Sequence, residues 1–220
     1  MDNLTLVIPA KNEKESLPEV LDEIKSYNCK KIVIMEKSDI ETSSSIKEHD
    51  CEILYQEGIG YGNAIKQGID AVNTKYFCIF NADGSFNPGE LKEMLNKVQT
   101  YNFVFASRYE KDCGSEDDTI ITLIGNYIFT KIGNIFFKLK ITDILYTYVL
   151  AETEAAKKLN LVKDNFCLCV ELPIKAQKAN YKLTTSKSFE RKRIGGKKKV
   201  NAFKDGSLIL ISMLKLFFKN

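Results

Sequence analysis

Tyr76-Phe77-Cys78-Ile79-Phe80-Asn81-Ala82-Asp83-Gly84-Ser85 changes character at its midpoint. Its first half is apolar without alternation, the pattern of a strand buried on both faces. Its second half is a run of turn formers that sets an acid in a tight Asp-Gly turn directly after the strand. A strand covered on both sides needs helices above and below its sheet, and the flanking sequence offers them in alternation. Leu4–Ile8 is a short apolar run stopped by Pro9. Asn12, with Glu15 three positions on, predicts a capping box ahead of Leu17, Val20, Leu21 and Ile24 at helical spacing. Lys31–Met35, Glu52–Tyr55 and Phe103–Ala106 read as further strands. Ala64, Ile65, Ile69 and Val72 mark another helix, and Asn87-Pro88-Gly89-Glu90 starts one more, with Asn as N-cap and Pro at N1. This alternation predicts an α/β domain with a mostly parallel sheet flanked by helices.

Ligands of such sheets sit outside the carboxyl ends of the strands. The unusual residues fall there: Pro9–Glu13, Glu36–Asp39, Gln56–Gly62, Asn81–Ser85 and Ser107-Arg108-Tyr109 each follow a strand. That edge is the predicted site.

The second half of the chain is less regular. Ile120–Leu139 reads as one long amphipathic helix or two, and Ala151–Leu161 and Glu171–Ala179 as shorter helices. Ser207–Phe218 is apolar but short; it suits either a terminal helix docked on the core or one lying in a membrane interface. No apolar stretch approaches the ~20 residues that span a bilayer, and Met1-Asp2-Asn3, without a basic n-region and followed by a short apolar run, is not expected to open a secretory signal.

Composition narrows the chemistry. The single histidine, His49, lies in the charged run Lys47–Asp50 and is expected to be a solvated turn residue. That excludes a His-based metal cage and a Ser-His-Asp system. The six cysteines form no CxxC pair and read as free thiols of a reducing cytoplasm. Net charge is only +3, yet Lys187, Arg191, Lys192, Arg193, Lys197, Lys198 and Lys199 stand against Glu190 alone, so the rest of the chain is net negative. Such a strip suits phosphates, anionic lipid or a solvated face. Nucleic acid fits poorly, because the body is acidic, the basic run is short and Trp is absent.

Two local motifs carry chemistry. Gly58-Ile59-Gly60-Tyr61-Gly62-Asn63-Ala64 fails the dinucleotide pattern, since the third glycine would fall at Asn63. It marks a turn of special backbone geometry, structural or facing phosphate. Asp83 is placed where a carboxylate can hold Mg²⁺ or Mn²⁺ bridging a diphosphate, or where a bare Asp-Gly turn would sit.

Taken together the segments resemble the family 2 glycosyltransferases, in particular enzymes like dolichol-phosphate mannose synthase. The resemblance runs from Leu4 to about Val200. Val7-Ile8-Pro9-Ala10-Lys11-Asn12-Glu13 is similar to the family's opening V-I-P-x-x-N-E. Glu36-Lys37-Ser38 with Thr42 occupies its nucleoside loop, and Gly58–Ala64 its G-x-G-x-G-x-A turn. Asn81-Ala82-Asp83-Gly84 resembles the metal-binding D-x-D, with Asn81 at the first acid position. Ser107-Arg108-Tyr109, Thr142-Asp143, Glu171–Ala176 and the basic Arg191–Lys199 follow in family order, with Lys197–Lys199 where a Ser precedes the final Lys.

The resemblance implies a GT-A fold over residues 1–190, with 191–220 as a basic segment and amphipathic helix packed on that domain or on membrane. It implies a cytoplasmic enzyme at the inner face of the membrane that uses Mg²⁺ or Mn²⁺. The reaction is inverting transfer of a sugar from a UDP- or GDP-sugar to a polyprenyl phosphate. The alternatives are transfer to a hydroxyl of a cell-envelope glycan or glycolipid, or a non-catalytic nucleotide-binding relative. The implied catalytic residues are Asp83, Arg108 and Asp143, the last as base if the acceptor is a hydroxyl. The implied donor contacts are Pro9, Ala10, Asn12, Glu13, Glu36, Ser38, Gly60, Asn63, Ala82, Arg108, Arg191, Arg193 and Lys199. The implied metal ligands are Asp83, Asn81 and Ser85.

Overall fold

In the computed structural model, which describes residues 1–195 and 202–218, the chain opens with β1 (Leu4–Pro9), β2 (Lys30–Met35), β3 (Glu52–Tyr55) and β4 (Tyr76–Ile79). Between them lie α1 (Ser16–Glu23), α2 (Ile40–Ser45) and α3 (Tyr61–Ala71). A single 3-10 turn at Pro88–Glu90, with the Asn87 side chain accepting from the Gly89 amide, leads into α4 (Leu91–Lys97) and β5 (Phe103–Ser107). The second half comprises β6 (Gly114–Ser115), α5 (Ile120–Phe137), β7 (Val149–Glu152), α6 (Thr153–Lys157), α7 (Leu168–Lys178), β8 (Leu183–Lys187), β9 (Phe189–Glu190) and α8 (Ala202–Phe218).

Seven strands form one sheet in the order β3-β2-β1-β4-β7-β5-β8, and β6 pairs with β9 beside it. All pairings in the large sheet are parallel except the two made by β7, which runs against β4 and β5. The predicted parallel-centred sheet is therefore present, with one reversed strand inserted. Its side chains alternate between two cores. Phe77 and Ile79 join Val7, Ile34 and Phe105 on the face covered by α3, α5, α6 and α7, while Cys78 and Phe80 join Leu6, Ile8 and Val104 on the face covered by α1 and α4. Each large apolar side chain fully buried this way contributes about 1.5–3 kcal/mol.

Several sequence expectations are corrected. The Asn12–Glu15 capping box does not form, because α1 starts at Ser16 and Asn12 sits in a left-handed turn at φ 54°. Competing bonds hold that turn: the Asn12 amide donates to Asp39 and the Glu13 amide to Thr42. The helix expected from Ala151 begins only after β7, since Val149, Leu150 and Ala151 are drawn into the sheet between β4 and β5. His49 is half-buried beside Asp22 at 3.6 Å rather than solvated. One helix, α5, does have the length and hydropathy of a membrane span, but its side chains bind it along the domain. All six cysteines are free thiols.

Candidate functional site

Because the strands are parallel, β1, β2, β3, β4 and β5 end on one edge, and reversed β7 begins there. The loops that follow enclose a cleft of about 780 Å³. Pro9, Ala10, Asn12, Glu13, Glu36, Gly60, Asn81, Ala82, Asp83, Arg108 and Arg193 all line it, which is most of the set read from the sequence. Ser38, Asn63, Ser85, Asp143 and Arg191 do not line it, and Lys199 lies outside the described residues.

The first wall is the loop after β1. Ala10 donates to the Ile34 carbonyl, and Lys11 pairs with Glu36 at 2.6 Å, so the ends of β1 and β2 are tied together. Glu13 is buried and accepts from the Ser16 hydroxyl at 2.7 Å.

The second wall is the glycine turn. Gly60 has φ +107°, and a Cβ there would lie 2.2 Å from the Asp164 carbonyl oxygen; at Gly62 it would lie 2.4 Å from that of Lys163. These glycines are explained by close approach of the 163–165 backbone. Asn63 serves the same joint: its side chain accepts from Gln56 and donates to Asp164, and its amide donates to the Asp164 carbonyl. Asn63 thus clamps the turn from behind instead of facing the cleft.

The floor is the turn after β4. Asp83 Oδ1 accepts from both the amide (3.0 Å) and the hydroxyl (2.7 Å) of Ser85. The Ser85 hydroxyl thus donates to Asp83, and Ser85 does not line the cleft. Gly84, at φ +81°, leaves room for Ile194, whose Cδ1 would lie 2.4 Å from a Cβ at that position. Ile194 donates to the Asp83 carbonyl and Arg191 to that of Ser85, so 191–194 forms a strap across the turn. Arg193 reaches Asp83 Oδ2 at 3.4 Å and Asp117 at 2.9 Å. Burial works against its charge, but the carboxylates outweigh that and raise its pKa. Arg191 points elsewhere: it forms a two-pronged pair with Glu23 and donates to the Phe86 carbonyl.

At the far side Arg108 is buried among three carboxylates. It grips Asp143 through Nε (2.7 Å) and Nη2 (3.0 Å), and its Nη1 reaches Glu190 at 2.9 Å and Asp118 at 3.3 Å. The guanidinium also lies 4.5 Å from the Tyr146 ring centroid. Burial opposes its charge; the attraction of Asp143 and Glu190 more than offsets this and raises its pKa. Asp143 is buried behind it, accepting from Arg108 on both oxygens and from Asn126 at 2.7 Å. A base must reach the proton it removes; Asp143 is buried, does not line the cleft, and has both carboxylate oxygens bonded to Arg108.

Composition gave little sign of Tyr61, Phe166, Tyr146 and Thr147, which also line the cleft. Tyr61 stacks on Phe166 at 5.0 Å and hydrogen-bonds Thr147 at 2.7 Å, and its hydroxyl donates to Asn81 Oδ1 at 3.2 Å. Burial pushes its phenol well above the usual value. Asp117 and Asp118 belong to none of the sequence motifs, and Glu190 was legible only as the lone acid of a basic strip.

No group of three or more His, Cys, Asp or Glu side chains among the described residues is placed to hold a metal. Asp83 and Asn81 offer two hard oxygen donors, the set of an ion that takes its other ligands from phosphate and water. Those residues fit Mg²⁺ or Mn²⁺ once Arg193 yields Asp83 Oδ2.

Comparison with known proteins agrees with this arrangement. An uncharacterized glycosyltransferase of Mycobacterium tuberculosis is 27% identical over 210 residues, covering 96% of this chain and 95% of its own. A low-salt glycan biosynthesis hexosyltransferase of Haloferax volcanii is 24% identical over 64% of this chain and 36% of its own. Glucosyl-3-phosphoglycerate synthase of Mycobacterium tuberculosis, solved with Mn²⁺, UDP and glucosyl-3-phosphoglycerate, superposes with a TM-score of 0.75 at 13% identity, covering 97% of this chain and 79% of that one. That likeness gives this chain the GT-A type of α/β fold. The family model for glycosyl transferase family 2 matches residues 5–159, from β1 through β7 and past the whole Asp83 turn, and the chain belongs to that family.

Proposed function

We propose that this protein is an inverting glycosyltransferase that moves a sugar from a nucleoside-diphosphate donor to a polyprenyl phosphate at a membrane surface. The family assignment supports nucleotide-sugar transfer, and the similar synthase was solved with UDP and Mn²⁺. The donor diphosphate belongs at the Asp83 turn, where Arg193 supplies a cation within reach. Asp83 and Asn81 would hold the divalent ion, which when bound neutralises charge on the leaving diphosphate. Pro9, Ala10 and Glu36 form the wall nearest β1 and β2, where the nucleoside rests in this reading. Tyr61 and Phe166 present aromatic surface to the sugar side.

The observation that carries the acceptor class is the burial of Asp143. The acid assigned as base for a hydroxyl acceptor is sealed behind Arg108, and Asp83, Asp118, Glu190 and Glu36 are each already paired with a cation. A phosphate acceptor is anionic at neutral pH and attacks without a base. The test is incubation with labelled UDP- and GDP-sugars, Mn²⁺ and a polyprenyl phosphate, followed by extraction into organic solvent. Label in an acid-labile lipid phosphate supports the reading. Label confined to water-soluble or alkali-stable glycan product gives the reaction to a hydroxyl acceptor, and donor binding without turnover makes the chain a binding protein.

A further inference from the structure

α5 is built inside out relative to a helix on a water-facing surface. Toward the protein it turns Asn126, Thr130, Gly133 and Phe137. The polar two are used: Asn126 donates to Asp143 and accepts from the Leu145 amide, and Thr130 accepts from that of Ile144. Outward it turns Ile120, Ile121, Leu123, Ile124, Tyr127 and Ile128, with Ile120 79% exposed. A helix between core and water shows the reverse pattern.

α8 extends the same face. It packs on α5 and α7, and Phe217 meets Phe136 and Phe137 of α5 edge to face at 5.7 and 5.9 Å. Its Phe203, Leu208, Ile211, Leu214 and Phe218 remain exposed, Phe203 and Phe218 each at 80%. Patches of this extent mark an interaction surface.

Charge selects the occupant. Exposed Lys131, Lys138 and Lys140 accompany α5, and exposed Lys204 and Lys215 lie on α8. Residues 120–140 contain no acid, and Asp205 is the lone acid of 202–218. A second copy meeting this face across a two-fold axis would set a basic surface against itself. An anionic bilayer instead takes the apolar crest among its acyl chains and the lysines against its phosphates.

We propose that the α5–α8 face seats this protein flat on an anionic bilayer. α5 lies along the membrane and does not cross it, because the Asn126 and Thr130 bonds fix one side to the domain. Thr122, Asn126 and Ile209 belong to these helices and also line the cleft, so the inner sides of α5 and α8 form part of its wall. The inference rests on the membrane location in the proposed function but not on its acceptor, since a lipid phosphate, a glycolipid or a soluble acceptor leaves the seating unchanged.

Full-length protein sedimented with vesicles tests it, using phosphatidylcholine alone and phosphatidylcholine mixed equally with phosphatidylglycerol. Ile124→Glu with Ile128→Glu, and separately Phe203→Glu, place charge on exposed positions, and a melting curve for each variant reports its fold. The expected result is salt-sensitive pelleting of wild type with the mixed vesicles and about a tenfold or greater loss of partition in each folded variant. Three results overturn the proposal: wild type left in the supernatant with both vesicles, folded variants that pellet like wild type, or a wild-type dimer that the glutamates dissociate while no vesicle binding occurs. The last would assign the face to a second copy.

Discussion

Arg193 Nη1 lies 3.4 Å from Asp83 Oδ2, the carboxylate oxygen that the Asp83 turn itself leaves open. Asp117 holds the same guanidinium at 2.9 Å, and the neighbouring Ile194 amide is bonded to the Asp83 carbonyl. A side-chain cation thus stands where a divalent ion and a diphosphate are to meet. Arg193→Gln removes that competitor. Its Mn²⁺ affinity without nucleotide is expected to rise by about 1 kcal/mol, roughly fivefold, the scale of a partly exposed pair. UDP affinity at saturating Mn²⁺ is expected to fall. Mn²⁺ titration by electron paramagnetic resonance reads the first effect, and calorimetry with UDP the second.

Asp143 and Arg108 separate a structural role from a catalytic one. Asp143→Ala removes the two-pronged partner of a buried guanidinium that keeps Glu190 and Asp118, at a cost of about 3 kcal/mol, the lower end for a broken buried pair. Urea unfolding of the variant is expected to show that loss. Unchanged stability with abolished turnover would restore Asp143 as a base.

Gly60→Ala tests the joint between the glycine turn and the 163–165 backbone. Positive φ and a carbonyl oxygen 2.2 Å from the new Cβ together predict a stability loss of about 2 kcal/mol or more. Denaturant midpoints measure it, and a neutral substitution would remove the packing explanation of the motif.

Glu90 gives a pH dependence. Burial pushes its carboxyl above the ordinary 4.5, against the opposing Phe189 amide bond and the Arg191 charge. The folded state therefore favours the protonated form. The cost of the charge is fully present above the folded pKa and is relieved as pH falls through it toward the unfolded value. Glu90→Gln is expected to raise the urea midpoint at neutral pH, with the advantage shrinking as pH approaches 4.5.

The half of the fold made by parallel strands was legible because each strand is a short, largely apolar run that gives way to a polar loop, and α1 and α3 repeat at helical period. β7 was not legible: Val149–Glu152 runs into α6 without a turn residue, and its reversal is imposed by β4 and β5. β8 was missed because Leu183–Lys187 is a polar edge strand. At the site, residue types were readable and directions were not. Arg191 and Arg193 are two positions apart and chemically identical, yet one reaches Glu23 and the other Asp83. Ser85 and Asp143 likewise carry suitable groups that the fold spends on Asp83 and Arg108.

The most direct test of the donor site is isothermal calorimetry of UDP and GDP binding, with and without Mn²⁺, to wild type and Asp83→Asn. The substitution keeps an oxygen for Ser85 and removes the charge that the ion needs. Mn²⁺-dependent binding by wild type and a loss of about tenfold or more in the variant, about 1.4 kcal/mol, is the predicted result. Equal binding by both proteins, with or without Mn²⁺, would contradict the assignment of the Asp83 turn as the diphosphate site.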